Sequence, residues 1–238
     1  MTLFSKPQTT DLLLPPDRDR EQTIHHKSYS LSYNSSYVLS SWVAYKVTKT
    51  QVNKFEKVRD KYRADPMIHT RSADKKDYKT GGYIMAQLAN YLDLQYIPEG
   101  EEESFYMSNI VPMKQAFYNY IWVKTEELIR LWNAGTDGLY IVCGPILTDT
   151  PFQAFGDNKI SIPKRFYKVV YDPKNQKAIG FIFINGTASG KLKSYAMSVD
   201  DVEKATGIDF FHTLENDLEN KIESEFNVND WNFELIEK

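Results

Sequence analysis

Acid–base chemistry near neutral pH calls first on histidine, and this chain of 238 residues has four, His25, His26, His69 and His212. His25 and His26 fall in a proline-containing N-terminal stretch and His69 in a loop, so all three read as solvated. His212 follows two phenylalanines beyond Gly207 and reads as a packing or capping residue. Two-carboxylate catalysis would need a converging acidic pair. The nearest local candidate is Asp74 with Asp77, set in a basic loop. The single cysteine, Cys143, excludes an internal disulfide framework and a cysteine-based zinc site. It lies in the apolar run Leu139-Tyr140-Ile141-Val142-Cys143-Gly144-Pro145, which suits a small buried hydrophobe better than a reactive thiol.

The chain is long enough to bury one substantial core and shows no composition break that would divide it. It reads as an irregular arm over 1–27 followed by one domain over 28–238. The net charge of −3 argues against a dedicated nucleic-acid coat, but the charge is segregated. Between Lys46 and Lys79 eleven basic residues face five acidic ones, whereas Asp200 to the end holds twelve acids and three lysines. The first segment attracts phosphate and the second repels it. No segment approaches the length of a membrane span, and Met1–Thr10 lacks the pattern of a secretory leader, so the chain as given reads as soluble, with no membrane partner and an undefined compartment.

These residues need elements to position them. Tyr29, Leu31 and Tyr33 alternate with serines, and Trp42–Val47 forms a second run of strand type, with regular structure expected to begin soon after His26. The charged run Lys54–Arg63 reads as loop, and Gly81-Gly82 as a turn. From Pro112 to Trp132 the period becomes helical: Phe117, Ile121, Leu128 and Trp132 share a face. Leu139–Leu147, Phe166–Tyr171 and Ala178–Ile184 look like buried strands. Ser198-Val199-Asp200-Asp201 resembles a capping box opening a helix that Gly207 closes, and a last helix runs over Leu214–Glu225. Such a mixture predicts an α+β domain, a mostly antiparallel central sheet with helices on its faces.

Several blocks, in order over 29–231, resemble the DNA/RNA non-specific endonuclease family: Trp42-Val43-Ala44-Tyr45, Asp77-Tyr78-Lys79, Phe105-Tyr106-Met107-Ser108-Asn109, Phe117–Trp122, Val142-Cys143-Gly144-Pro145, Pro163–Val170 and Tyr195–Val199. The resemblance implies the ββα-metal (His-Me finger) nuclease fold on a six-stranded sheet. It also implies a catalytic stretch Gly-Tyr-Asp-Arg-Gly-His-Leu, whose histidine is the general base. Here that stretch is Gly82-Tyr83-Ile84-Met85-Ala86-Gln87-Leu88. An amide at Gln87 neither takes up nor releases a proton near neutral pH.

The family's direct magnesium ligand, an asparagine, falls on Tyr118, and the following arginine, which supports the scissile phosphate, falls on Asn119. Glu126 matches a glutamate that reaches the metal through water, and Asn109 is retained, either as a substrate contact or as a hydrogen-bonding residue of a turn. A phenol is a poor ligand for a hard cation, so the resemblance with these departures implies a pseudo-nuclease that binds no metal cofactor. Such a domain would serve weak, non-specific nucleic-acid binding through Lys75, Lys76, Lys79 and Asn109, or a protein partner, as a homodimer or paired with an active relative. The alternative is an active endonuclease with a rearranged centre, which would use magnesium.

Overall fold

The structure, a computed structural model, describes residues 13–48, 61–186 and 188–236. The first twelve residues of the expected arm, and Lys49, Lys54, Lys57 and Arg59 of the basic segment, lie outside the described residues, as does most of the run read as loop.

Strands β1 (Gln22–His25), β2 (Ser30–Asn34) and β3 (Leu39–Val47) form an antiparallel meander. The sheet thus begins earlier than expected, since β1 lies inside the stretch read as an arm. A short helix α1 (Tyr78–Gly81) ends at Gly82, whose left-handed backbone (φ 65°) swings the chain into β4 (Ile84–Gln87). Two short helices, α2 (Tyr91–Leu94) and α3 (Gly100–Ser104), separate β4 from its hairpin partner β5 (Ile110–Met113). Pro112 therefore belongs to a strand and does not open the helix. That helix is α4 (Gln115–Phe117), a π-helical turn over Tyr118–Trp122, and α5 (Val123–Asn133). Phe117, Ile121, Leu128 and Trp132 are all buried along it, as their spacing requires.

Beyond it come β6 (Leu139–Pro145), the small hairpin β7 (Ala154–Phe155) with β8 (Ile160–Ser161), β9 (Arg165–Asp172), β10 (Lys177–Ile184) and β11 (Ala196–Met197). Helices α6 (Val199–Thr206) and α7 (Asn216–Ser224) follow, and short 3-10 turns at Val228–Asp230 and Phe233–Leu235 come last among the described residues. Ser198 Oγ accepts from Asp201 N at 3.2 Å, and Gly207 (φ 67°) closes α6. The main sheet has seven strands rather than six, in the order β1-β2-β3-β6-β9-β10-β11, with every pairing antiparallel. The seventh is an edge contribution too short to read from pattern.

Both sheet faces are covered, which is why the central strands are buried almost throughout. Along β9 the pleat sends Phe166 and Val170 to one core, shared with β4, β5 and α5. Tyr167, Val169 and Tyr171 go to the other core, shared with α6 and α7. Lys168 falls on the first face, between Phe166 and Val170, and is 0 % exposed.

Candidate functional site

The motif singled out from sequence occupies β4. Its register against β5 pairs Ile84 with Met113, Met85 with Pro112, Ala86 with Val111 and Gln87 with Ile110, and the helix that follows β5 completes a ββα unit. Ile84 and Met85 are half-buried and line a cleft of about 400 Å³ together with Tyr62, Lys75, Tyr78, Lys79 and Tyr83. Phe155 of β7 lies edge-on to Tyr78 and tilted against Tyr83, so the β7–β8 hairpin braces this wall. Lys114 sets its ammonium 4.2 Å from the centre of the Tyr83 ring. The hydroxyl of Tyr78 is buried there without a hydrogen-bond partner. Lys75, Lys76 and Lys79 are exposed beside the cleft, two of them on its lining.

Gln87 turns away from this cleft into the fold. Its Nε2 donates to the Ser104 carbonyl at 3.0 Å and the Ser104 hydroxyl at 3.2 Å, while its Oε1 accepts from Tyr91 N at 3.1 Å. The amide thus ties β4 to α2 and α3, donating to two oxygens and accepting from one backbone N–H; a neutral imidazole, with one donor and one acceptor, cannot make all three contacts. Ala86 is fully buried.

Asn109 is likewise consumed by the fold, which corrects its assignment to nucleic-acid contact. It is 0 % exposed; its Oδ1 accepts from Ala89 N at 2.9 Å, and its Nδ2 donates to the carbonyls of Ala89 and Ser104. The hydrogen-bonding alternative is the one adopted.

Tyr118 stands on the π-helical turn, partly buried against the core, and Asn119 beside it is exposed. Burial, reinforced by the nearby Glu126 carboxylate, raises the Tyr118 phenol above its ordinary range, so it stays neutral. Glu126 is 1 % exposed. Its Oε2 accepts from Asn90 Nδ2 at 2.7 Å, and its Oε1 faces Lys168 Nζ at 3.7 Å. Next to this pair Arg130 Nη1 holds Asp93 Oδ1 at 3.0 Å. Burial lifts the Glu126 carboxyl to about 7 against the pull of Lys168 and Arg130. Lys168 also sits 4.1 Å from the centre of the Trp122 ring.

Magnesium, which the resemblance implies at this place, wants near-octahedral oxygen ligands and retained water. A neutral phenol and a sealed carboxylate already engaged by an amide and an ammonium do not fit it. Lys168, Asn90, Asp93 and Arg130 were missed in the sequence; a lysine inside the otherwise apolar run Phe166–Tyr171 was the available signal for a buried cation.

The remaining titratable candidates are structural or exposed. His26 is buried, not solvated: its Nε2 lies 2.9 Å from Asp65 Oδ2, and Ser108 Oγ donates to the same carboxylate oxygen at 2.5 Å. His25 and His69 are exposed as expected, and so is His212, which corrects its reading as a packing residue. Asp77 does not pair with Asp74 for catalysis. Its oxygens take Asp74 N, Asn158 N and Asn158 Nδ2, and despite its burial these hydrogen bonds hold its carboxyl below the usual range. Cys143 is fully buried, and burial pushes its thiol up to about 12. Among the described residues, no helix is long and apolar enough to cross a membrane.

With this ββα unit on a broad antiparallel sheet in view, similarity to known proteins takes a definite form. The family model described as DNA/RNA non-specific endonuclease matches residues 15–217, and the chain belongs to that family. Mitochondrial nuclease EXOG of Xenopus laevis is 25 % identical over 217 residues, covering 84 % of this chain and 60 % of that protein. The chain therefore spans about three fifths of the length of this relative. A nuclease of Serratia marcescens is 25 % identical over 214 residues, covering 85 % of this chain and 79 % of that one. Among solved structures, one of an EndoG/EndoGI complex superposes with a TM-score of 0.72 at 22 % identity, covering 82 % of this chain and 87 % of that chain; this similarity is one of fold.

Proposed function

We propose that this chain is a pseudo-nuclease: a member of the endonuclease family that keeps the scaffold for binding nucleic acid or a protein partner and does not hydrolyse phosphodiesters. The observation that carries this reading is Gln87, which cannot act as an acid or base and whose amide is committed to Ser104 and Tyr91. Loss of a general base alone costs a factor of about 10² to 10⁴ in rate. The sealed Glu126 and the phenol of Tyr118 support loss of the metal as well, and with it Lewis-acid stabilisation of the reaction.

What remains is a cleft walled by tyrosines and flanked by Lys75, Lys76 and Lys79, a composition suited to weak, sequence-independent contact with phosphate and base. A protein partner, a second copy or an active relative, is the other use of the scaffold; the fold relative EndoG is seen in complex with EndoGI.

The test is plasmid nicking with magnesium or manganese. The expected result is background cleavage for the native chain and for Gln87→His alone, because base and metal act as one unit and neither works without the other. Chelator-sensitive linearisation by the native chain at low enzyme concentration would establish the opposite reading, an active endonuclease with a rearranged centre. Robust cleavage by Gln87→His alone would mean that metal binding was never lost.

A further inference from the structure

The acidic C-terminal segment gathers its carboxylates in one place. In α6 the three-residue spacing of Asp200 and Glu203 puts both on one face, and in α7 the four-residue spacing of Glu219 and Glu223 does the same. The turn at Gly207 brings Asp209 back toward them, and α6 packs against α7. One carboxylate oxygen from each of Asp200, Glu203 and Glu223 lies within 4.8 Å of the others, and the same holds for Asp209, Glu219 and Glu223. Glu223 is common to both groups.

The second observation is Glu223 itself. It is 7 % exposed, and its Oε1 is buried with no hydrogen-bond partner. A buried acceptor left in this state is costly, and more so when its neighbours carry the same charge. Among the described residues no lysine, arginine or histidine forms an ion pair with any of the five, and of their carboxylates only that of Glu203 accepts a backbone hydrogen bond, from Phe210 N at 2.9 Å. Burial and then the four surrounding carboxylates push the Glu223 carboxyl up to about 8.

We propose that Asp200, Glu203, Asp209, Glu219 and Glu223 form a calcium site between α6 and α7, with Glu223 as the shared ligand. The donor set decides the ion. It is all oxygen and all anionic, without the nitrogen or sulfur ligands that favour zinc or copper. Calcium takes six to eight oxygens at roughly 2.3–2.6 Å, so ligands on opposite sides of the ion stand about 5 Å apart; within each of the two triplets that share Glu223 the oxygens lie within 4.8 Å of one another. Five carboxylates exceed what magnesium uses in an all-protein site. The site stands apart from the β4 cleft and is independent of the fate of the nuclease centre.

The experiment is calorimetric titration of the full, chelator-stripped chain with calcium chloride, paired with thermal unfolding in calcium and in chelator. Saturable binding and a rise in Tm with calcium are expected. Glu223→Gln and Asp209→Asn are expected to weaken binding at least tenfold, whereas Tyr118→Phe on the π-helical turn leaves it unchanged. Should Glu223→Gln fail to fold, Glu219→Gln, in a less buried position, carries the same expectation. No heat and no change in Tm up to millimolar calcium would overturn the proposal, as would calcium binding unaffected by the variants at 223, 219 and 209.

Discussion

Glu126 and Glu223 are both buried carboxylates packed against the same sheet, one under each face. Around Glu126 the fold supplies an ammonium from Lys168, a guanidinium from Arg130 and an amide from Asn90, so two acids meet two bases. Around Glu223 it supplies four more acids; one oxygen of each glutamate lacks a hydrogen-bond partner, but that of Glu126 has the Lys168 ammonium 3.7 Å away. Sealing with internal cations makes a buried carboxylate into a piece of core. Leaving the charge unbalanced keeps a region responsive to an ion from outside. On the two readings proposed above, the family's place for chemistry is of the first kind and the C-terminal helices are of the second.

The strongest way to break this comparison is to remove the internal cation. Lys168→Met leaves Glu126 and Asp93 with Arg130 alone, and loss of one partner from a buried pair costs about 3–5 kcal/mol. Urea unfolding is expected to show this loss, with a larger effect at pH 8 than at pH 6, where Glu126 holds its proton. An unchanged midpoint would mean that Lys168 does not balance Glu126.

A somewhat smaller effect follows from pH alone. The folded Glu126 keeps its proton up to about 7, whereas an unfolded glutamate loses it near 4.5. Between those values the native state binds more protons than the unfolded state, so stability falls as pH rises through this window and levels off above it. Over the window the fall amounts to a few kcal/mol. Thermal melts from pH 5 to 8 are expected to show it, with a shallower slope for Glu126→Gln. An equal slope in that variant would assign the proton elsewhere.

The smallest effect sharpens the contrast from the other side. Removing a charge from a crowd of like charges relieves repulsion, so Glu223→Gln in calcium-free buffer is expected to raise stability by about 1 kcal/mol near pH 8. Denaturant unfolding in chelator reads this directly. A loss in place of a gain would show that Glu223 is already compensated within the fold.

Strands β2, β3, β6, β9 and β10 were legible because their apolar runs are long and bounded by turn residues, and α6 because a serine cap and a glycine stop frame it. The strand Gln22–His25 was not, being short, half polar and at a sheet edge. The β4–β5 hairpin was hidden by Pro112, an edge-strand proline that reads locally as a helix start. The candidate site was legible as a motif, since β4 aligns residue by residue, but not as an environment. That His26 meets Asp65, or that Lys168 meets Glu126, depends on segments about 40 residues apart whose meeting no local pattern announces.

The π-helical turn at Tyr118–Trp122 gives the family alignment a geometric limit. One residue added to a helical turn changes the angular phase of everything on one side of it relative to the other, by about 100° per residue. Tyr118 and Asn119 thus face directions set by that phase as much as by their identities, and Glu126, beyond the turn, keeps its own. Placing the family's asparagine at 118 and arginine at 119 would change the letters at these positions without choosing where they aim. Deleting the exposed Tyr120 would keep those letters and rotate them. The helix acts as a dial, and the setting at which it stands is carried in backbone geometry and invisible in the residue names.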